Sequence, residues 1–248
     1  MNWFRQTFHR MGSPPYFYRG ARKWITGLYI VGLALLVVGT IWGIGFTPAD
    51  RLQGDSFRII YFHVPTAHLS QLIYIAVAVA GFVFLVWRMK MADVFMVSAI
   101  WLGAWLTAFA LFSGIVWGIP TWGTGWVWDA RTTSVLVQLF LFIGLIALRG
   151  AIPNSQRAAL AVSVLAIVGV LNIPIIKYSV DWFTTLHQPA SIQIGEPIAI
   201  DLAMLWPLLI NSLGLYAVAA GVILSHMRIH VLRRERDSEW VAKSLLTK

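Results

Sequence analysis

Read as a pattern of apolar and polar positions, the 248-residue chain contains six long apolar stretches, near Trp24–Phe46, Leu69–Trp87, Val94–Trp117, Thr132–Leu148, Ala158–Ile176 and Leu202–Ser225. A helix needs roughly 17–25 such residues to cross a hydrocarbon core, and the fourth stretch only just reaches that. The pattern predicts an all-α membrane protein, a six-transmembrane-helix bundle forming one integral membrane domain over residues 1–248. The connections between stretches alternate in kind. Arg88–Asp93 and Arg149–Arg157 are short and basic, as tethers are. Thr47–Ser70, Gly118–Arg131 and Lys177–Asp201 are longer and carry more reactive side chains, which puts the function on their side.

Charge sets the orientation. Fifteen Lys and Arg residues fall in the arm 1–23, the two short tethers and the tail 226–248, against four in the three longer segments. Lysine and arginine accumulate on the cytoplasmic side, so both termini are expected there, with residues 1–23 as a cytoplasmic arm and 226–248 as a basic cytoplasmic tail. The formal charge of +9 is thus topological, with a contribution from anionic membrane lipid, and does not point to nucleic acid. The first stretch is long and follows about twenty polar or aromatic residues, so it reads as an uncleaved span and not as a signal peptide.

Composition narrows the picture further. Charged residues make up 12% of the chain and hydrophobic ones 58%, with a mean hydropathy of +0.73. Soluble domains carry roughly 25% charge, so a soluble enzyme and a disordered chain are both excluded. With no cysteine there is no disulfide, thiolate metal site, thiol nucleophile or covalent c-type haem attachment. The apolar stretches hold almost no ionisable groups, which argues against a proton or ion path. Ser113, Gln138, Asn172 and Asn211 read as hydrogen-bond partners between helices, and Pro207 as a kink in the sixth span.

The segment Gly118–Arg131 and its flank hold Trp117, Trp122, Trp126 and Trp128, interleaved with Gly123 and Gly125 and closing on Asp129 and Arg131. Two readings stand side by side: an interfacial aromatic belt, or a flat apolar platform with indole N–H donors at its edge, suited to a large planar ligand. Asp129 also suits the N-cap of the helix that follows. His63 and His187 lie in the two other longer segments, each near a span edge. Each is either a hydrogen-bonded interfacial side chain or half of a pair closing on one iron from opposite faces. His68, five residues after His63, is turned from it by about 140° on a helix and is left out. His9, His226 and His230 lie in the basic arms and read as solvated.

The run Trp122-Gly123-Thr124-Gly125-Trp126-Val127-Trp128-Asp129-Ala130-Arg131 resembles the tryptophan-rich signature of the haem-handling membrane proteins of cytochrome c maturation. Together with Ile59–Pro65 and Tyr178–Gln188, it is most similar to the haem exporter protein C (CcmC) family of the system I pathway. Gly125 departs from the pattern, standing where the family usually has tryptophan, and Thr132 stands where leucine is common. The resemblance implies haem b as ligand, with His63 and His187 as axial ligands of its iron. It also implies that Trp122, Trp126, Trp128 and Asp129 hold the macrocycle, and that Asp50, Gln53 and Arg58 serve haem handling or docking. Arg58 and Arg131 have the chemistry to fork onto the propionates. The implied setting is the bacterial inner membrane, with the longer segments facing the periplasm. The implied partners are the haem chaperone CcmE, the ABC transporter components CcmA and CcmB and the small membrane protein CcmD.

The expected role is an assembly protein, not an enzyme: it binds haem at the periplasmic face and delivers it to CcmE. A b-type bis-histidine electron-transfer subunit is the alternative. Its weakness is that both histidines lie at one rim, with no second pair across the membrane. A permease, whose site lies near the midplane at broken helices, finds little support in the spans.

Overall fold

The computed structural model describes residues 12–188, 195 and 197–246. Arg5, Arg10 and Lys248, counted above in the arm and tail, and His9, read as solvated, lie outside the described residues, as does most of the stretch 189–196 in the third long connection. The helices are α1 (Pro14–Gly45), α2 (Ile60–Trp87), α3 (Lys90–Trp122), α4 (Ala130–Ala151), α5 (Ser155–Gly169), α6 (Asn172–Trp182), α7 (Leu202–Arg234) and α8 (Glu239–Leu246), with a 3-10 turn at Asp55–Ile59 ahead of α2. Six segments are long and apolar enough to cross a membrane, α5 and α6 together making the fifth. The protein is a multi-pass, all-helical membrane bundle.

The helices overrun the apolar stretches that announced them. α1 starts at Pro14 instead of Trp24, α2 at Ile60 instead of Leu69, and α3 spans Lys90–Trp122 instead of Val94–Trp117. Counting apolar residues measures the hydrocarbon crossing. A helix of 33 residues such as α3 is about 50 Å long at 1.5 Å per residue, against a core of about 30 Å, so its ends run on through the interface. His63 and His68 therefore lie on α2 and not in a loop, and the tryptophan-rich segment begins as helix.

Local chemistry sets the ends. Pro14 and Pro15 open α1, where no amide partner is needed. Asp129, Asn154 and Asp201 cap α4, α5 and α7 by accepting from the amides of Thr132, Arg157 and Ala203. α3 stops at Gly123, whose φ of 72° is left-handed. The fifth span breaks at Val170–Leu171, just before Pro174, whereas α7 continues through Pro207.

α1 lies along α7, and α2 packs on α3 and α5 around a core that includes Tyr74, Met96, Phe142, Leu145 and Val162. The mild polar residues bond between helices as expected. Gln138 of α4 reaches Ser70 of α2 at 3.3 Å, Asn172 donates to the Ser134 carbonyl at 2.8 Å, and Thr40 donates to Asn211 at 3.2 Å. At the end of the bundle opposite the long connections, buried Asp93 of α3 receives Arg149 of α4 at 2.8 Å and Arg234 of α7 at 2.6 Å.

Candidate functional site

The first long connection is a compact turn that organises itself. The Asp50 carboxylate accepts from the amides of Leu52 and Gln53 at 2.9 and 2.8 Å. Arg58 donates to the Thr47 carbonyl at 3.0 Å and pairs with Asp55 at 3.1 Å. Gln53 turns outward from this scaffold. Its Oε1 accepts from the Trp117 indole N–H at 2.7 Å, and its Nε2 lies 3.5 Å from Gln188. This one side chain thus touches the other two long segments.

The second segment supplies the indoles. Trp117 and Trp122 stand in the last turns of α3, and Trp126 and Trp128 follow in the short loop to α4. Trp126 and Trp128 meet edge-on at 5.2 Å, whereas Trp122 meets the His187 ring at 4.8 Å, so the indoles form two groups instead of one sheet. Trp128 is 74% exposed, while the Trp126 indole N–H is buried with no acceptor among the described residues. A Cβ on Gly125 would lie 2.9 Å from the Ile115 side chain. At this position the loop is pressed onto α3, with no room for the indole that the family pattern places there.

His63, on the first turn of α2 that faces α3, has Nδ1 3.0 Å from the Ser113 hydroxyl. Ser113 donates its own proton to the Phe109 carbonyl at 2.8 Å, so its oxygen accepts from His63 Nδ1–H. Trp117 meets the same ring edge-on at 5.5 Å. Gly114 leaves space for it, since a Cβ there would sit 3.1 Å from His63 Cε1.

His187 is held differently. Its Nδ1 lies 2.9 Å from Asp129 Oδ2, and the same carboxylate caps α4 through Thr132 and accepts from the Thr185 hydroxyl. A carboxylate surrounded by three donors is ionised and only accepts, so His187 also carries its proton on Nδ1. Burial alone would push the Asp129 carboxyl up, but the hydrogen bonds from Thr185, the Thr132 amide and His187 outweigh it and hold it at about 2. Burial pulls the His187 imidazole below the usual histidine value, against the opposing pull of Asp129. With Nδ1 engaged in this way, a neutral imidazole at each position presents its Nε2 lone pair, the form that binds metals.

His63 and His187 lie within electrostatic reach of one another, and Arg131 is within reach of both while donating to Ser179 at 3.1 Å. His68 is bonded to Tyr216 of α7 and takes no part. Asp50 and Arg58 serve the first turn, while Gln53, Trp122, Asp129 and Arg131 join the two histidines. The sequence counts Trp117 among the platform indoles without announcing its contact with His63, and gives Thr185 and Ser179 no role. The Trp117 contact was within reach, because Trp117 lies four residues after Ser113 and so shares its helix face. Nothing in the chain marks Thr185 or Ser179.

A family model described as "Heme exporter protein C" matches residues 7–242. The chain belongs to the heme exporter protein C family. It is 45% identical over 241 residues to heme exporter protein C of Escherichia coli, covering 97% of both chains. The protein of that name in Haemophilus influenzae is 40% identical over 233 residues, covering 94% of this chain and 95% of the relative. That of Bradyrhizobium diazoefficiens is 40% identical over 211 residues, covering 85% of this chain and 79% of its own. All three long segments of this heme exporter C family member fall inside the matched range.

Proposed function

We propose that this protein binds haem b at the periplasmic face of the bacterial inner membrane and delivers it to the haem chaperone CcmE for cytochrome c maturation. One observation carries the reading. Two imidazoles from separate segments each place Nδ1 within hydrogen-bond distance of a protein oxygen, at 3.0 and 2.9 Å, and among the described residues neither Nε2 has a hydrogen-bond partner. That is the state in which histidine ligates iron, with the second partner fixing ring and tautomer. Family membership supports the choice of haem.

In this reading His63 and His187 are the axial ligands, while Trp122, Trp126 and Trp128 supply apolar contact to the macrocycle. Arg131 is the better propionate partner, because Arg58 already serves Thr47 and Asp55. Asp129 acts through His187 more than on the disc itself. Asp50 and Gln53 shape the surface that meets the chaperone, with CcmA, CcmB and CcmD as the neighbouring membrane components.

The test is the optical spectrum of the purified protein supplied with haem, beside His63→Ala, His187→Ala and the double variant. A low-spin bis-imidazole spectrum in the parent, lost in each single variant, is the expected result. A parent that takes up no haem, or a spectrum indifferent to both substitutions, overturns the assignment.

A further inference from the structure

We propose that the two imidazoles hold iron unequally: His187 is the stronger, permanent donor, and His63 is the ligand that yields when haem passes to an acceptor. The proposal rests on the bis-histidine reading above. The difference lies behind the rings, at Nδ1. His187 donates to a carboxylate, Asp129, whose side chain is 4% exposed and which lies 2.9 Å away. A buried carboxylate draws the Nδ1 proton toward itself and gives the ring imidazolate character, which raises the donor strength of Nε2. Charged acceptors make hydrogen bonds roughly twice as strong as neutral ones. Thr185 and the Thr132 amide keep that carboxylate in place.

The acceptor offered to His63 is neutral, the Ser113 hydroxyl at 3.0 Å. Ser113 has committed its own proton to the main chain, so it orients the ring without sending negative charge into it. Asp129 and Ser113 are positioning residues of unequal effect. The exchange is a simple ligand substitution. The Fe–Nε2 bond of His63 breaks, a bond to a donor atom on the acceptor forms, and the His63 lone pair returns to the ring with Nδ1–H unchanged. No electron or proton is transferred.

Carbon monoxide is the probe, because on reduced haem it replaces the weaker axial ligand, and the Fe–CO stretching frequency reports the ligand left opposite. Full-length protein loaded with haem is first checked for the bis-imidazole spectrum. Absence of that spectrum sinks the underlying reading, and the proposal with it, before CO is added. With the spectrum present, the CO adduct of His63→Ala should match the parent's frequency, while that of His187→Ala should differ. Asp129→Asn, which keeps a cap oxygen for α4, should raise the parent frequency, and Ser113→Ala should leave it unmoved. The reverse pattern, or equal responses to Asp129→Asn and Ser113→Ala, overturns the proposal. The two histidine variants decide the matter even if Asp129→Asn does not fold.

Discussion

His187 holds a proton less tightly than an ordinary histidine. Burial lowers its affinity for a proton, and Arg131 adds to that, while Asp129 only partly opposes them. The unfolded chain binds this proton near the ordinary histidine value of 6.5 and the folded chain only at lower pH, so the stability tied to this group is present above 6.5 and falls as pH drops below it. Asp129 has the same sign in a lower window. Its contribution is present above the ordinary aspartate value of 3.8 and is lost as pH falls toward about 2. Thermal unfolding should therefore be flat from pH ~8 to ~7 and decline toward pH ~5. His187→Gln, which has no proton to gain, should have a shallower acid limb. An acid limb unchanged in that variant would assign the pH dependence to other groups.

Among the elements, α3, α4 and α7 are tied at the end away from His63 and His187 by Asp93, whose side chain is 2% exposed beneath the guanidiniums of Arg149 and Arg234. Removing one partner of a buried ion pair costs about 3 kcal/mol. Asp93→Ala should lower the unfolding midpoint in detergent markedly, while Arg236→Ala, at a side chain 79% exposed, should not. Equal midpoints would reduce the cluster to a surface ornament. The contrast between this clamp and the six spans shows what is legible in the chain. Apolar runs mark crossings, because the solvent imposes them, and Asp129 is recognisable as a cap from its neighbours alone. Asp93 reads as one more tether residue, because its partners stand 56 and 141 residues away. At the other end, spacing placed His63 and His187 on one side, but neither Ser113 nor Thr185 is marked as their partner by any local pattern. The extent of α2 was misjudged for a related reason, since interfacial aromatic and polar residues continue a helix without announcing it.

The bundle as a whole has its dense charge clamp at one end and its two metal-competent histidines at the other. With no cysteine in the sequence, single-cysteine reporters need no prior removal of native thiols. Leu52→Cys, at a residue 90% exposed in the first long connection, should react with a membrane-impermeant thiol reagent on intact cells. Asp237→Cys, between α7 and α8 with its side chain 90% exposed, should react only after permeabilisation. The opposite labelling would invert the proposed topology.

Gln53, Trp117 and Gln188 join segments from three successive hairpins, and the two imidazoles come from the first and last of these. A growing polypeptide threads these hairpins into the bilayer one at a time. Until the last is inserted, His63 has Ser113 but no counterpart, and Asp129 has a helix to cap but no ring to orient. On the proposed bis-imidazole reading, the unfinished chain has no two-sided grip on a redox-active tetrapyrrole, so the ability to hold one would itself signal that biogenesis is complete.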